Sequence, residues 1–196
     1  MRVYREGESY LAKTAEGSAA KKAAQKKKVH TVLKWPDPVL AKRGVAVKAF
    51  DERLTTLVDE MFESMYEAQG IGLAAPQIGI SERITVIDVS FKKNPEDKIA
   101  LINPEIVEME GKQVEEEGCL SLPDIREKVG RAAWVKVRAQ DVSGNFFEVE
   151  GEELLARALQ HEIDHLDGVL FIDRLSRLKR ELVLRKIKKL QKNGEW

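Results

Sequence analysis

Cysteine and histidine are scarce in this chain: one of the former, Cys119, and three of the latter among 196 residues. A single thiol excludes an intrachain disulfide framework and any zinc site that takes two or more cysteines from one chain, and it fits a reducing compartment. Long hydrophobic runs are absent too. Nothing approaches the roughly 18 apolar residues of a membrane span, and the first 30 residues lack the apolar segment of a secretory signal. A cytoplasmic protein with no membrane partner is therefore expected. Excess charge of either sign is also missing, since 33 Lys+Arg balance 33 Asp+Glu, so the overall charge offers no case for DNA or for acidic substrates.

What is present divides in two. Residues 1–28 are dominated by Lys, Ala, Ser, Gly and Glu and end in KKAAQKKK, with no sustained apolar period. We read them as a flexible basic tail, with a basic arm touching nucleic acid and organellar targeting as the alternatives. Residues 29–196 are long enough for one domain with a real core.

Asp51 is a good N-cap for a helix carrying Leu54, Leu57, Val58, Met61, Phe62, Met65 and Tyr66 at helical spacing up to Gly70. GIGLAAPQIG, 70–79, reads as a Gly-rich loop, without the Lys-Ser/Thr of a phosphate loop. RITVIDV, KIALIN, IVEME and KQVEEE read as strands, with Asn103-Pro104 as a turn. AAWVKVRAQD and FFEVEG form a hairpin through VSGN. A second helix runs from Glu152 to Leu166, VLFID is a last strand, and a basic helix spans 174–192. This order predicts an α+β fold, with mostly antiparallel β-sheets packed around a central metal-binding helix, plus a C-terminal helix.

The chemistry is concentrated in QHEIDHLDG, residues 160–168. His161 and His165 stand one above the other on a helix, continuing the face of Leu154 and Ala158. Charged helices spell HExxH by chance, but here two of only three histidines take the paired spacing; His30 has no partner in sequence. Such sites keep a third protein ligand. No histidine follows His165, and Glu181 and Glu195 lie in the basic terminal segment. Upstream, Cys119 in EEGCLSLP is a soft donor; its competing reading is a buried, inert thiol.

GIGLAAPQIG, EGCLSLP and QHEIDH, in that order, resemble the three signature motifs of the bacterial-type peptide deformylases, over roughly Val29 to Leu178. The resemblance implies hydrolytic removal of the formyl group from the N-formylmethionine of nascent polypeptides, with release of formate. Cys119 becomes the third ligand beside His161 and His165, with water in the fourth position and its pKa lowered toward ~7. Glu162, one residue after the first histidine, is the expected general base. The side-chain amide of Gln77 and the N–H of Leu120 are implied as oxyanion donors. Gly70, Ile71 and Gly72 would wall the cleft and pair with an extended peptide, while Leu154 and Ala158, with Ile71 opposite, are candidates for the methionine pocket or simply for core. Arg126 is placed to meet the substrate backbone, and Glu117 with Arg131 to brace the cysteine loop. One thiolate and two imidazoles suit Fe(II), Zn(II), Ni(II) or Co(II), and the resemblance points to Fe(II).

From Arg174 to Lys192 nine residues are Lys or Arg and only Glu181 is acidic, with Leu175, Leu178, Leu182, Ile187 and Leu190 as an approximate apolar stripe. A solvated face is one reading; ribosome binding through RNA, which deformylases with a basic terminal helix suggest, is the other. A peptidase cutting internal bonds and an RNA adaptor without turnover are the competing functions.

Overall fold

The protein is described from a computed structural model covering residues 2–5 and 28–196. Its main sheet holds six antiparallel strands in the order β1-β8-β7-β4-β3-β2: β1 (Arg2–Arg5), β8 (Phe146–Glu152), β7 (Trp134–Gln140), β4 (Lys98–Glu110), β3 (Ile84–Asp88) and β2 (Gly72–Ala74). β5 (Gln113–Cys119) and β6 (Leu122–Arg131) make a separate antiparallel pair. The helices are α1 (Glu52–Glu67), α2 (Glu153–Leu166) and α3 (Arg177–Lys192). The α+β class and its antiparallel sheets are as expected.

α1 begins where the sequence puts it, because the Asp51 carboxylate accepts the Leu54 N–H at 3.1 Å and satisfies one of the free donors of the first turn. Its buried stripe, Leu54 through Met65, packs on Leu73, Ile84 and Val86 of β2 and β3. α2 lies over the other half of the sheet, burying Leu155, Ala156, Leu159 and Ile163 against Val135, Val137 and Val149. A third cluster joins Leu122, Ile125 and Val129 of β6 to Phe171, Ile172, Val183 and Ile187. α2 therefore sits between the large sheet and the small one, and its polar face is enclosed. β7 and β8 are joined as a hairpin, as predicted, by a turn in which Asp141 accepts the N–H groups of Ser143 and Asn145 and Gly144 takes a positive φ of 86°.

Six expectations need correction. GIGLAAPQIG is not a loop throughout: Gly72–Ala74 is β2, paired with β3, and Ala75–Ile78 is a 3-10 turn. Arg2–Arg5, assigned to the flexible tail, pairs with β8; residues 6–27 of that tail lie outside the described residues. Asn103-Pro104 is not a turn but the interior of a continuous β4, where Asn103 takes φ 52° and its amide holds both the N–H and the C=O of Val47. VLFID is not a strand: Phe171–Arg174 is a 3-10 turn that Asp173 closes by accepting the Leu170 N–H at 3.0 Å. A short apolar run does not distinguish a buried turn from a strand by periodicity. LPDIREKVGR was not recognised as a strand, because Asp124 at φ 60° disturbs the alternation of Leu122, Ile125 and Val129. On α3 the buried positions are Val183 and Ile187, while Leu178 and Leu182 are 67% and 54% exposed.

Candidate metal centre and cleft

α2, β5 and the turn after β2 meet at one point. α2 contributes His161 and His165, whose rings are 4.9 Å apart. The end of β5 brings Cys119, with Sγ 3.2 Å from His165 Nε2. One ligand atom from each of Cys119, His161 and His165 lies within 4.8 Å of the others. Donors at ~2.0–2.3 Å from a tetrahedral ion sit about 3.5 Å apart, so the spacing fits a single cation. The donor chemistry fits as well, a soft thiolate with two imidazoles.

The orientation of His161 is set from outside. Its Nδ1 lies 3.1 Å from Glu117 Oε2, which leaves Nε2 for the cleft. Glu117 in turn accepts two bonds from Arg131, at 2.8 and 2.9 Å, and Arg131 also donates to Asp164, which Arg174 reaches from its other side. Arg131, Glu117 and Asp164 are all buried. Burial would raise the Glu117 pKa, but bonds and charge from Arg131 and His161 outweigh it and hold the carboxyl at about 2. Phe171 stacks beside His161 with ring centroids 6.1 Å apart, which is what the 3-10 turn contributes to the site.

Glu162 is 4% exposed, and its Oε2 is buried with no hydrogen-bond partner among the described residues. Removal from water is the main reason its pKa rises to about 7, against the opposing charge of His161. Gly72 makes room for it: a Cβ there would lie 2.8 Å from Glu162 Cδ. Buried Thr85 of β3 adds a hydroxyl beside the same carboxylate while donating to the Leu73 carbonyl at 3.0 Å.

Gln77, 1% exposed, is fixed by its own backbone neighbourhood. Its Oε1 accepts the Ala74 N–H at 2.9 Å, which turns Nε2 toward Cys119 Sγ at 3.7 Å and Ser121 Oγ at 3.2 Å. Leu120 lies across from Gly70, where a Cβ would come within 2.7 Å of Leu120 Cδ1.

These groups open on a cleft of about 720 Å³. Gly70, Ile71 and Gly72 form part of one wall, Leu154, Ala158 and Glu162 another, and Arg126 stands among the β6 residues of the lining, mostly exposed and 3.5 Å from Glu116. Leu154 is at the rim, 40% exposed, and Ala158 is buried. The structure thus brings every sequence-named site residue to the cleft or directly behind it, His165 and Arg131 being behind. The sequence reading missed Asp164, Ser121, Thr85 and Phe171. Asp164 lies inside the histidine motif and carried a signal in its charge; the other three join only through folding.

A cysteine sulfur, two imidazoles, a buried carboxyl group and a carboxamide converging on one cleft are the equipment of a mononuclear metal hydrolase. Comparison with known proteins narrows the class. Residues 29–181 match the family model for polypeptide deformylase. The chain is 68% identical over 168 residues to the peptide deformylase of Acidobacterium capsulatum, covering 86% of this chain and 99% of that one. It is 49% identical over 157 residues to the enzyme of Thermodesulfovibrio yellowstonii, covering 80% and 95%. The crystal structure of a peptide deformylase from Legionella pneumophila superposes with a TM-score of 0.80 at 48% identity, over 85% of this chain and 98% of that one. This chain belongs to the polypeptide deformylase family and is an enzyme of that kind.

Proposed function

We propose that the cleft hydrolyses the formyl amide of an N-formylmethionyl nascent peptide, with Cys119, His161 and His165 holding one divalent cation. The observation that carries this reading is the buried, unpartnered Glu162 oxygen beside the three converging ligand atoms. Fe(II) is the proposed physiological ion, with Zn(II), Ni(II) or Co(II) able to occupy the same donors. When bound, the cation supplies Lewis acidity that brings the pKa of water toward neutrality.

The protein's own residues perform the rest. Glu162 takes the proton of the attacking water; the water oxygen bonds to the formyl carbon, the C–N bond breaks, and Glu162 returns the proton to the departing amine. Formate and a free methionine amine result. Gln77 Nε2, already aimed into the site by the Ala74 N–H, and the Leu120 N–H receive the developing oxyanion. The 70–72 backbone pairs with the peptide, Ile71, Leu154 and Ala158 take the methionine side chain, and Arg126 meets the chain beyond it.

Formate release from formyl-Met-Ala-Ser by anaerobically prepared, Fe(II)-loaded protein is the test. The parent is expected to turn over and unformylated Met-Ala-Ser to remain uncut; folded, metal-replete protein with no release would sink the reading.

For the ribosome the supporting observation is α3, whose Arg185, Lys188 and Lys189 are exposed beside the uncovered Leu178 and Leu182. Truncating the helix would also remove Val183 and Ile187 from the core. Reversing the three charges to Glu is the cleaner experiment: weakened ribosome co-sedimentation with unchanged turnover of formyl-Met-Ala-Ser is expected, and equal co-sedimentation would defeat the idea.

A further inference from the structure

One cleft residue has no part in the reaction above. Arg157 stands on α2 one turn before His161, half-buried, and lines the cleft next to Leu154 and Ala158. Among the described residues it makes no hydrogen bond or ion pair. Asp124 also lines the cleft, offering its backbone carbonyl to Lys186, and the remaining cleft charges are engaged. Glu117 is bound by Arg131 and His161, Arg126 faces Glu116, and Glu162 has the proton-transfer role. A half-buried guanidinium without an internal partner is free to take a ligand's carboxylate, for which its planar fork offers two parallel bonds.

The position along the substrate follows from strand geometry. In an extended peptide side chains alternate, so the third residue returns to the side that the methionine occupies, about 7 Å further on. The proposed methionine pocket uses Leu154 and Ala158, and Arg157 belongs to that same helical wall. We infer that Arg157 is a specificity-determining residue that selects formyl peptides with a carboxylate side chain at the third position. This rests on the deformylase reading.

The test is kcat/KM from formate release for C-terminally amidated formyl-Met-Ala-Glu, formyl-Met-Ala-Lys and formyl-Met-Glu-Ala, with the parent, Arg157→Lys, Arg157→Ala and Arg157→Glu. Amidation removes the terminal carboxylate as a rival ligand; the free-acid forms, run alongside, should show a weaker dependence on the third side chain. A Glu-to-Lys ratio of about three to ten is expected for the parent, largely kept by Arg157→Lys, near one in Arg157→Ala and inverted in Arg157→Glu. The ratio should shrink in high salt, as screening requires. The same ratio in parent and Arg157→Glu would overturn the inference. So would an equal loss on all peptides, which would make Arg157 a wall residue acting through its aliphatic stem. A parent that turns over all three peptides equally defeats this inference alone; a parent that releases no formate from any defeats the deformylase reading.

Discussion

α2 and α3 are similar in length, 14 and 16 residues, and both are charged, yet α2 buries ten residues and α3 two. On α2 most charges are inside, and two of them are tied to neighbours from other elements, Asp164 to Arg131 and Arg174 and His161 to Glu117, while Glu162 is buried without a partner among the described residues. On α3 the charges are in water, and pairs such as Arg177–Glu181 are loose and exposed. Burial is what makes the difference. A charge out of water must be partnered or it destabilises the fold, whereas an exposed pair is screened and adds little. One helix uses its ionisable groups as site; the other displays them as surface.

The largest expected effect breaks α2 at its centre. Glu162→Ala should lower formate release by about 10²–10⁴-fold while circular dichroism and metal content stay those of the parent. Retained turnover would remove Glu162 from the reaction. Next in size is the brace. Arg131→Ala leaves Glu117 and Asp164 as buried anions, and a loss of about 3–5 kcal/mol in urea unfolding is expected; a change as small as that of an α3 variant would mean that water reaches the network.

Asp88 extends the contrast away from the candidate metal centre. Burial would raise its pKa, but bonds from Tyr66, Ser90 and the Lys92 N–H win and hold it below the ordinary carboxylate range. A carboxyl with a lowered native pKa adds stability that is present above its unfolded pKa and is lost as pH falls through the native one. Asp88→Asn should therefore cost about 1.5–3 kcal/mol at neutral pH, and the gap between parent and variant should close on acidification. A pH-independent gap would show that packing, not charge, is responsible. The smallest effect is on α3, where Arg177→Ala should stay within about 0.5 kcal/mol. A larger loss would make that helix more than surface.

Legibility followed the range of the interactions. The caps and faces of α1 and α2 could be read because they depend on residues three or four apart, as Asp51 with Leu54 does. Cys119, His161, His165, Glu162, Gln77 and the 70–72 wall could be named because three short motifs carry them. The sequence reads β4 as two strands because the partner of Asn103, Val47, is 56 positions away in sequence. β6 is hidden in the sequence because its kink at Asp124 disturbs the alternation, and the run at 169–172 leading into the 171–174 turn reads as a strand because four apolar residues fit either.

The sequence by itself determined the α+β class, the inward pairing of His161 and His165 with Glu162 beside them, and the basic character of the last helix. These follow from periodicity and composition, which are local. Only the tertiary structure decided that Cys119 Sγ comes within 3.2 Å of His165 Nε2, that Ala74 turns the Gln77 amide toward it, and that Arg131 joins Glu117 to Asp164. It also decided that Leu178 and Leu182 face water while Val183 and Ile187 do not. Those outcomes depend on which surfaces are removed from water together, and burial is a property of the assembled chain.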